Sequence, residues 1–280
     1  MKLYRTIDSV IVDVGGVCRV IDLTVDDVFS ADEPIGTVSA SFERSKTIVD
    51  PPDSLLAPIG SQEVWAAGVT YEISREARMA ESAAAGTADV YARVYDAVRP
   101  ELFFKATAHR VAGPDAVIRI RSDATWNVPE PELTLAISAS GAIFGMCAGN
   151  DVSSRDIEGE NPLYLPQAKV YDASAALGPA IVLGPPPTAA TIELLIERGG
   201  ETAYSGSTTT ARLRRTFGEL VAYLFRDNTF PVGCFLMTGA GVVPDDGFTL
   251  RDGDVVSITI EGVGTLRNRV VQATGSPAVD

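Results

Sequence analysis

Three carboxylates stand where this chain's spacing lets them act together. Glu130 and Glu132 lie two residues apart in Trp126-Asn127-Val128-Pro129-Glu130-Pro131-Glu132, and Asp151 follows the next apolar run, 142–148, after Gly149 and Asn150. Side chains on an extended strand repeat every two residues, so the two glutamates share a face. Pro129 and Pro131 favour extended backbone around them. With Ser140-Gly141 as a two-residue hairpin turn, Ala139 faces Ala142, and the same register carried outward sets Glu130 opposite Asp151. Opposed residues have Cβ atoms roughly 4.5–5.5 Å apart, so three carboxylates meet on one patch. Each then favours its neutral form, and a hard divalent cation removes that cost. An all-oxygen donor set suits Mg²⁺, Mn²⁺ or Ca²⁺ rather than zinc. A solvated acidic strand face is the alternative, because Glu-x-Glu is a common strand pattern.

The rest of the composition narrows the chemistry by exclusion. There is one histidine, His109, so a Ser-His-Asp triad or Cys-His pair would have to use it. Cys18, Cys147 and Cys234 are widely spaced with no CxxC, which fits reduced thiols in a cytosolic protein and excludes cysteine-held zinc. No GxSxG, Walker A or Rossmann glycine pattern occurs. The net charge of -14 and pI near 4.5 repel a phosphate backbone, so nucleic acid is not an expected partner, and the acidity reads as solubility. No apolar run approaches the roughly 18 residues a membrane helix needs, and the first ten residues contain no apolar h-region, so neither a membrane anchor nor a signal peptide is expected. Carboxylates, lysines and hydroxyls remain as the tools, in an expected cytoplasmic setting.

The elements that must position these groups are mostly strands. At 280 residues, 46% of them apolar, the chain suits one large domain with a small partner. Residues 1–60 alternate short apolar runs with turn formers and read as a small β-rich N-terminal domain. Residues 61–280 then form the larger domain, which carries the three carboxylates, after a linker around Asp50-Pro51-Pro52-Asp53. Helical spacing predicts helices over 74–84, 88–98 and 212–225. Short β-branched runs predict strands over 117–120, 132–138, 142–148 and 255–260. Residues 157–167, with Gly159, Pro162 and Pro166, read as a long loop beside the carboxylates, either a lid or a plain connection. Helices and strands do not alternate strictly, so an α+β, β-rich fold is expected rather than a doubly wound parallel sheet.

The segments PEPELTLAIS, GNDVSSRD and LPQAKVYDASAALGP, with LFFKAT before and MTGAGVVP after, resemble the fumarylacetoacetate hydrolase superfamily over roughly residues 65–270. The resemblance implies a mixed β-roll or sandwich with peripheral helices, Mg²⁺ or Mn²⁺ at Glu130, Glu132 and Asp151, and a homodimer or homotetramer. Its C–C hydrolase and decarboxylase branch places a His and a Glu three residues later beyond a G-x-x-Y element. Here that element is Gly68-Val69-Thr70-Tyr71, and Ser74 and Ala77 stand at the two positions, neither able to serve as that base dyad. By contrast, GNDVSSRDIEGENPLYLPQAKVYD and RPELFFKAT look like the branch that dehydrates 2-keto-3-deoxy-pentonates to 2,5-dioxopentanoate.

The resemblance implies a small 2-oxo sugar acid chelated by the metal, acidified at C3 and passing through a metal-stabilised enolate. Lys169 is the candidate base, or a fixed charge that orients the substrate carboxylate. An ammonium beside a divalent cation in a dry pocket is pushed toward the neutral amine, which accepts protons. Glu101 is the candidate that holds a water or protonates the leaving hydroxyl; otherwise it is a helix-end charge after Pro100. Lys105 is a candidate substrate contact or a cap on the site wall. Thr238 and Gly239 resemble a family loop that binds substrate oxygens, with an ordinary turn as the alternative. His109 reads as a structural histidine, Arg75 as a helix-surface residue, and Ser74 as at most a hydrogen-bonding substitute for the missing histidine. Hydrolysis of an acylpyruvate, decarboxylation of an oxaloacetate-like acid, and a binding protein with a vestigial site are the competing functions.

Overall fold

The N-terminal strands are built by local signals. β1 (Lys2–Arg5), β2 (Val10–Val14) and β3 (Val17–Ile21) form an antiparallel meander in the computed structural model, which describes residues 1–72 and 94–272. The predicted helix over 74–84, with Ser74, Arg75 and Ala77, lies outside the described residues. Of the helix predicted over 88–98 only 94–98 are described, and 94–96 are helical. Val14 pairs directly with Val17, and Gly15 and Gly16 supply the two positive φ angles, 61° and 87°, that a tight twisted hairpin turn demands.

Two helices follow that the periodicity reading did not anticipate. α1 (Val25–Ser30) opens on a capping box: Thr24 Oγ1 accepts from the Asp27 N–H, and the Asp27 carboxylate accepts from the Thr24 N–H. α2 (Pro34–Arg44) starts on a proline that fixes its first φ. Val28, Phe29, Val38 and Phe42 bury their side chains against Leu3, Val10, Val12 and Ile21. β4 (Ile48–Val49) then returns to pair with β3.

The central strands are β5 (Glu63–Gly68), β6 (Glu101–Thr107), β7 (Val111–Ala112), β10 (Pro131–Ile137), β11 (Ile143–Asp151), β13 (Ala175–Leu183) and β16 (Cys234–Met237). Among the described residues the sheet runs β4-β3-β2-β1-β13-β11-β10-β16-β5-β6. β6 passes through one 3-10 turn, Ala108–Arg110, into β7, and β7 pairs in parallel with β13. The path β13-β11-β10-β16-β5-β6-β7-β13 therefore returns on itself as a roll. β1 adds the N-terminal strands to it by pairing with β13, and β9 (Asn127–Val128) and β12 (Ser153–Ser154) pair antiparallel as a separate ribbon.

A second sheet has the order β15-β14-β17-β18-β8, with β8 (Val117–Ile120), β14 (Thr191–Arg198), β15 (Glu201–Thr209), β17 (Val255–Ile260) and β18 (Gly264–Gln272). β14 alternates exposed and buried residues, so Ile192, Leu194 and Ile196 face inward. They pack with Leu133, Met146, Ala148, Val256 and Ile258 in an apolar layer between the two sheets. α5 (Phe217–Leu224) covers another face of the roll, with Leu220, Val221 and Leu224 on Leu135, Ile137 and Leu236. No helix of the described residues is long and apolar enough to cross a membrane. This is the α+β, β-rich roll with peripheral helices that the sequence led us to expect.

Three local expectations are corrected. The hairpin between β10 and β11 has a three-residue loop rather than the two-residue turn Ser140-Gly141: the Gly141 N–H donates to the Ser138 carbonyl (2.9 Å) and the Ser138 N–H to the Ala142 carbonyl (2.9 Å). Gly141, at φ 84°, takes the left-handed position such a loop ends on. A bulge at Phe144 then moves the register back by one residue, so that Glu132 pairs with Gly149 and Pro131 with Asn150. The stretch 157–167 is largely helical: α3 (Arg155–Glu160), a 3-10 turn Pro162–Tyr164 and α4 (Leu165–Lys169), started by prolines and an Asn161 side chain that accepts from the Leu163 N–H. The helix predicted over 212–225 is only α5, because the Arg214 N–H is bonded to the Thr70 carbonyl and Thr216 caps the helix at the Glu219 N–H.

Candidate metal and substrate site

Glu130 immediately precedes β10, Glu132 lies on it, and Asp151 is the last residue of β11. The Asp151 N–H donates to the Glu130 carbonyl at 2.9 Å. One carboxylate oxygen from each of the three lies within 4.8 Å of the others, and all three residues are buried. Burial first, then the charges of Asp151 and Glu130, hold Glu132 well above the usual carboxylate range, despite the Gly239 N–H that donates to its Oε2 at 2.5 Å. Burial pushes Asp151 upward too, but the ammoniums of Lys105 and Lys169 outweigh it and hold Asp151 below that range. A carboxyl whose ionisation is disfavoured by burial and by two neighbouring acids is the electrostatic condition that a divalent cation relieves. The oxygen-only donor set fits Mg²⁺ or Mn²⁺.

Three cations enclose the three acids. Lys169, the last residue of α4 and fully buried, donates to Glu130 Oε2 (2.7 Å) and Asp151 Oδ2 (3.0 Å). Its Nζ lies 5.7 Å from the centre of the Phe103 ring. Arg155, the first residue of α3, donates from Nη2 to Glu130 Oε1 at 2.9 Å. Lys105 on β6 pairs with Asp151 Oδ1 at 2.7 Å. Its own ammonium is held below the usual lysine range by burial, with Asp151 opposing that shift and Lys169 adding to it.

The groups converge on a cavity of about 20 Å³ walled by Gly68, Phe103, Glu130, Glu132, Asp151 and Arg155. That volume suits about one water or a monatomic ion. A far larger groove of about 1010 Å³, between Arg5, Asp26 and Lys46, contains none of the candidate residues.

Glu101 begins β6 opposite Gly68 and is not a helix-end charge. Its carboxylate lies where a Cβ on Gly68 would stand, and its Oε2 is buried with no hydrogen-bond partner among the described residues. It therefore lies behind Gly68, which lines the cavity, with an acceptor unspent. The Thr238 hydroxyl donates to the Leu133 carbonyl (2.8 Å), and the Thr238 carbonyl accepts from Thr70 (2.8 Å). Gly239 holds Glu132 through its N–H, at φ 101°. Lys105 is fully buried and does not line the cavity. His109 is exposed, with Nδ1 3.0 Å from Thr107 Oγ1.

The structure adds Arg155 and Phe103, which the sequence reading had not singled out as site residues. Both sit inside motifs it had quoted, GNDVSSRD and LFFKAT. Position four after Asp151 was the available signal for Arg155.

A model of the fumarylacetoacetate (FAA) hydrolase C-terminal family matches residues 63–271. The chain is 50% identical over 216 residues to a probable 2-keto-3-deoxyxylonate dehydratase of Haloferax volcanii, covering 76% of this chain and 73% of the relative. It is 45% identical over 213 residues to a 2-dehydro-3-deoxy-D-arabinonate dehydratase of Saccharolobus solfataricus, covering 75% and 72%. Among solved structures, a 2-keto-3-deoxy-D-arabinonate dehydratase complexed with magnesium and 2,5-dioxopentanoate superposes with a TM-score of 0.82 at 33% identity, over 98% of this chain and 100% of that one.

Proposed function

The chain belongs to the fumarylacetoacetate hydrolase family, and on that premise we propose that it is a metal-dependent hydro-lyase converting a 2-keto-3-deoxy-pentonate to 2,5-dioxopentanoate. The observation that carries the reading is the buried triad Glu130, Glu132 and Asp151 with the Lys169 ammonium against it. These three carboxylates are the residues that would hold Mg²⁺ or Mn²⁺. When bound, the ion supplies Lewis acidity at the substrate's carboxylate and 2-oxo oxygens.

The side chains do the rest. Lys169, enclosed and 0% exposed, takes a proton from C3 as the neutral amine, and the proton passes on to re-protonate Glu101 when the cycle closes. Glu101 gives a proton to the C4 hydroxyl, which leaves as water. A proton then moves from C5 to C3 and the 5-hydroxyl proton to C4, leaving an aldehyde at C5. Phe103 and Gly68 close the wall around these groups and limit the water that competes for the same protons. Gly239 and Thr238 support Glu132 and the strand beneath it.

Every residue in this scheme lies beyond position 100 except Gly68, so residues 1–60 serve as a non-catalytic N-terminal unit within the proposal. A homodimer or homotetramer and a cytoplasmic setting belong to the same reading, the latter with Cys18, Cys147 and Cys234 as free buried thiols. The test is a panel of 2-keto-3-deoxy-pentonates, assayed for 2,5-dioxopentanoate with Mg²⁺ or Mn²⁺ and again with chelator. Aldehyde formation that chelator abolishes is expected. Release of CO₂ or of a second carboxylate fragment would instead assign decarboxylation or C–C hydrolysis.

A further inference from the structure

Among the described residues, Lys105 is the cation of the site whose ammonium has the most oxygens already around it. It has three N–H groups, and three oxygens stand within reach: Asp151 Oδ1 at 2.7 Å, the Val152 carbonyl at 3.0 Å and the Lys169 carbonyl at 2.5 Å. Like Lys169 it is fully buried and does not line the cavity, but its ammonium, unlike that of Lys169, also pairs with two backbone carbonyls. We infer that Lys105 is a positioning residue, which orients the Asp151 carboxylate and the backbone of Lys169 together and makes no contact with substrate.

The geometry gives that role two parts. Asp151 divides its oxygens between two lysines, Oδ1 to Lys105 and Oδ2 to Lys169. With a different ammonium paired to each oxygen, the carboxylate is held against rotation, which favours a single Asp151 oxygen facing a cation. The second part concerns α4, which ends at Lys169. The carbonyls of a last helical turn have no partner within their helix. Here the Lys169 carbonyl accepts from Lys105 and also from Ser174 Oγ at 2.9 Å. The backbone that aims the Lys169 side chain is thus tied to the strand that presents Asp151. β6 supplies this tie only because the roll closes: along the sheet it lies four strands from β11.

The inference rests on the dehydratase reading for its kinetic consequence but not for its structural one. The experiment compares wild type with Lys105→Met, measuring kcat and KM on a 2-keto-3-deoxy-pentonate and the electron paramagnetic resonance spectrum of bound Mn²⁺. A positioning lysine predicts a kcat about 100-fold lower with KM within about threefold of wild type, and an altered Mn²⁺ line shape as Asp151 is freed. A KM raised about tenfold or more with kcat retained would make Lys105 a substrate contact and overturn the inference. So would wild-type kcat with an unchanged spectrum. Should Lys105→Met not fold, Ser174→Ala decides: it removes the other donor to the Lys169 carbonyl, and a reduced kcat at unchanged KM is expected, whereas full activity overturns the inference. If wild type turns over none of the panel, the dehydratase reading fails, and the Mn²⁺ spectrum of Lys105→Met still tests the orientation of Asp151.

Discussion

Asp254 and Glu132 are both carboxylates shut away from water, one beside each sheet. Asp254 receives Arg198 Nε on one oxygen (2.8 Å) and Arg198 Nη2 (2.8 Å) and the Arg251 N–H (2.9 Å) on the other. Glu132 faces two further acids within the 4.8 Å cluster and one strong donor, the Gly239 N–H. The first arrangement is a completed fork between opposite charges and leaves nothing for a ligand. The second leaves Glu132, among the described residues, with two acids and no side-chain cation bonded to it beside a small cavity, the condition that a divalent cation relieves. Buried acidity by itself therefore says little; what matters is whether the surrounding atoms already satisfy it.

The comparison can be broken by substitution. Lys169→Met should have the largest effect, slowing dehydration and C3 proton exchange roughly 10³-fold or more while Mn²⁺ still binds. Exchange of 2-oxobutyrate protons followed by NMR checks it, and wild-type exchange would remove Lys169 as the base. Glu132→Gln should weaken Mn²⁺ binding roughly 1,000-fold, since a neutral amide replaces a charged ligand. Isothermal titration measures this, and unchanged affinity would count heavily against the site. Asp254→Ala should leave kcat per folded molecule unaltered and cost about 3 kcal/mol of stability, because it strands the partly buried Arg198. Urea denaturation and active-site titration separate the two outcomes.

The smallest expected effect sharpens the contrast through pH. Glu132 is raised in the folded, metal-free protein, so its proton stabilises the fold below the unfolded value, and that contribution is lost as pH rises through the folded one. Asp151 is lowered and has the opposite sign, stabilising above the unfolded value and failing as pH falls. In ion-free buffer, Glu132→Gln should therefore gain in Tm relative to wild type as pH climbs from 5 toward 8, and added Mg²⁺ should reverse the order. A gap that stays flat with pH would mean Glu132 ionises freely.

Much of the site could be read before the fold was known, and one part of it for a reason that proved incomplete. The pairing of Glu130 with Asp151 was derived from a two-residue turn, yet the loop has three residues and the bulge at Phe144 cancels the difference. Proline-flanked alternation fixed which face the glutamates share, but bulge placement depends on packing that alternation does not encode. The N-terminal helices were missed although Thr24 and Asp27 carry a capping signature, because α1 is only six residues long and has little periodicity to show. The prolines and glycine of 157–167 suggested a loop, whereas prolines at helix starts are compatible with short helices.

Residue types and spacing alone determined the oxygen-rich chemistry, the shared face of Glu130 and Glu132, the β-rich class and the family motifs, because these follow from strand period and side-chain chemistry. Only the tertiary structure decided that Lys105 stands behind Asp151, that Arg155 closes on Glu130 and that Glu101 reaches over Gly68. Those contacts join residues 25 to 46 positions apart in the chain. The Lys105 contact exists because a twisted sheet curls until β7 meets β13, and no local preference of β6 records that closure.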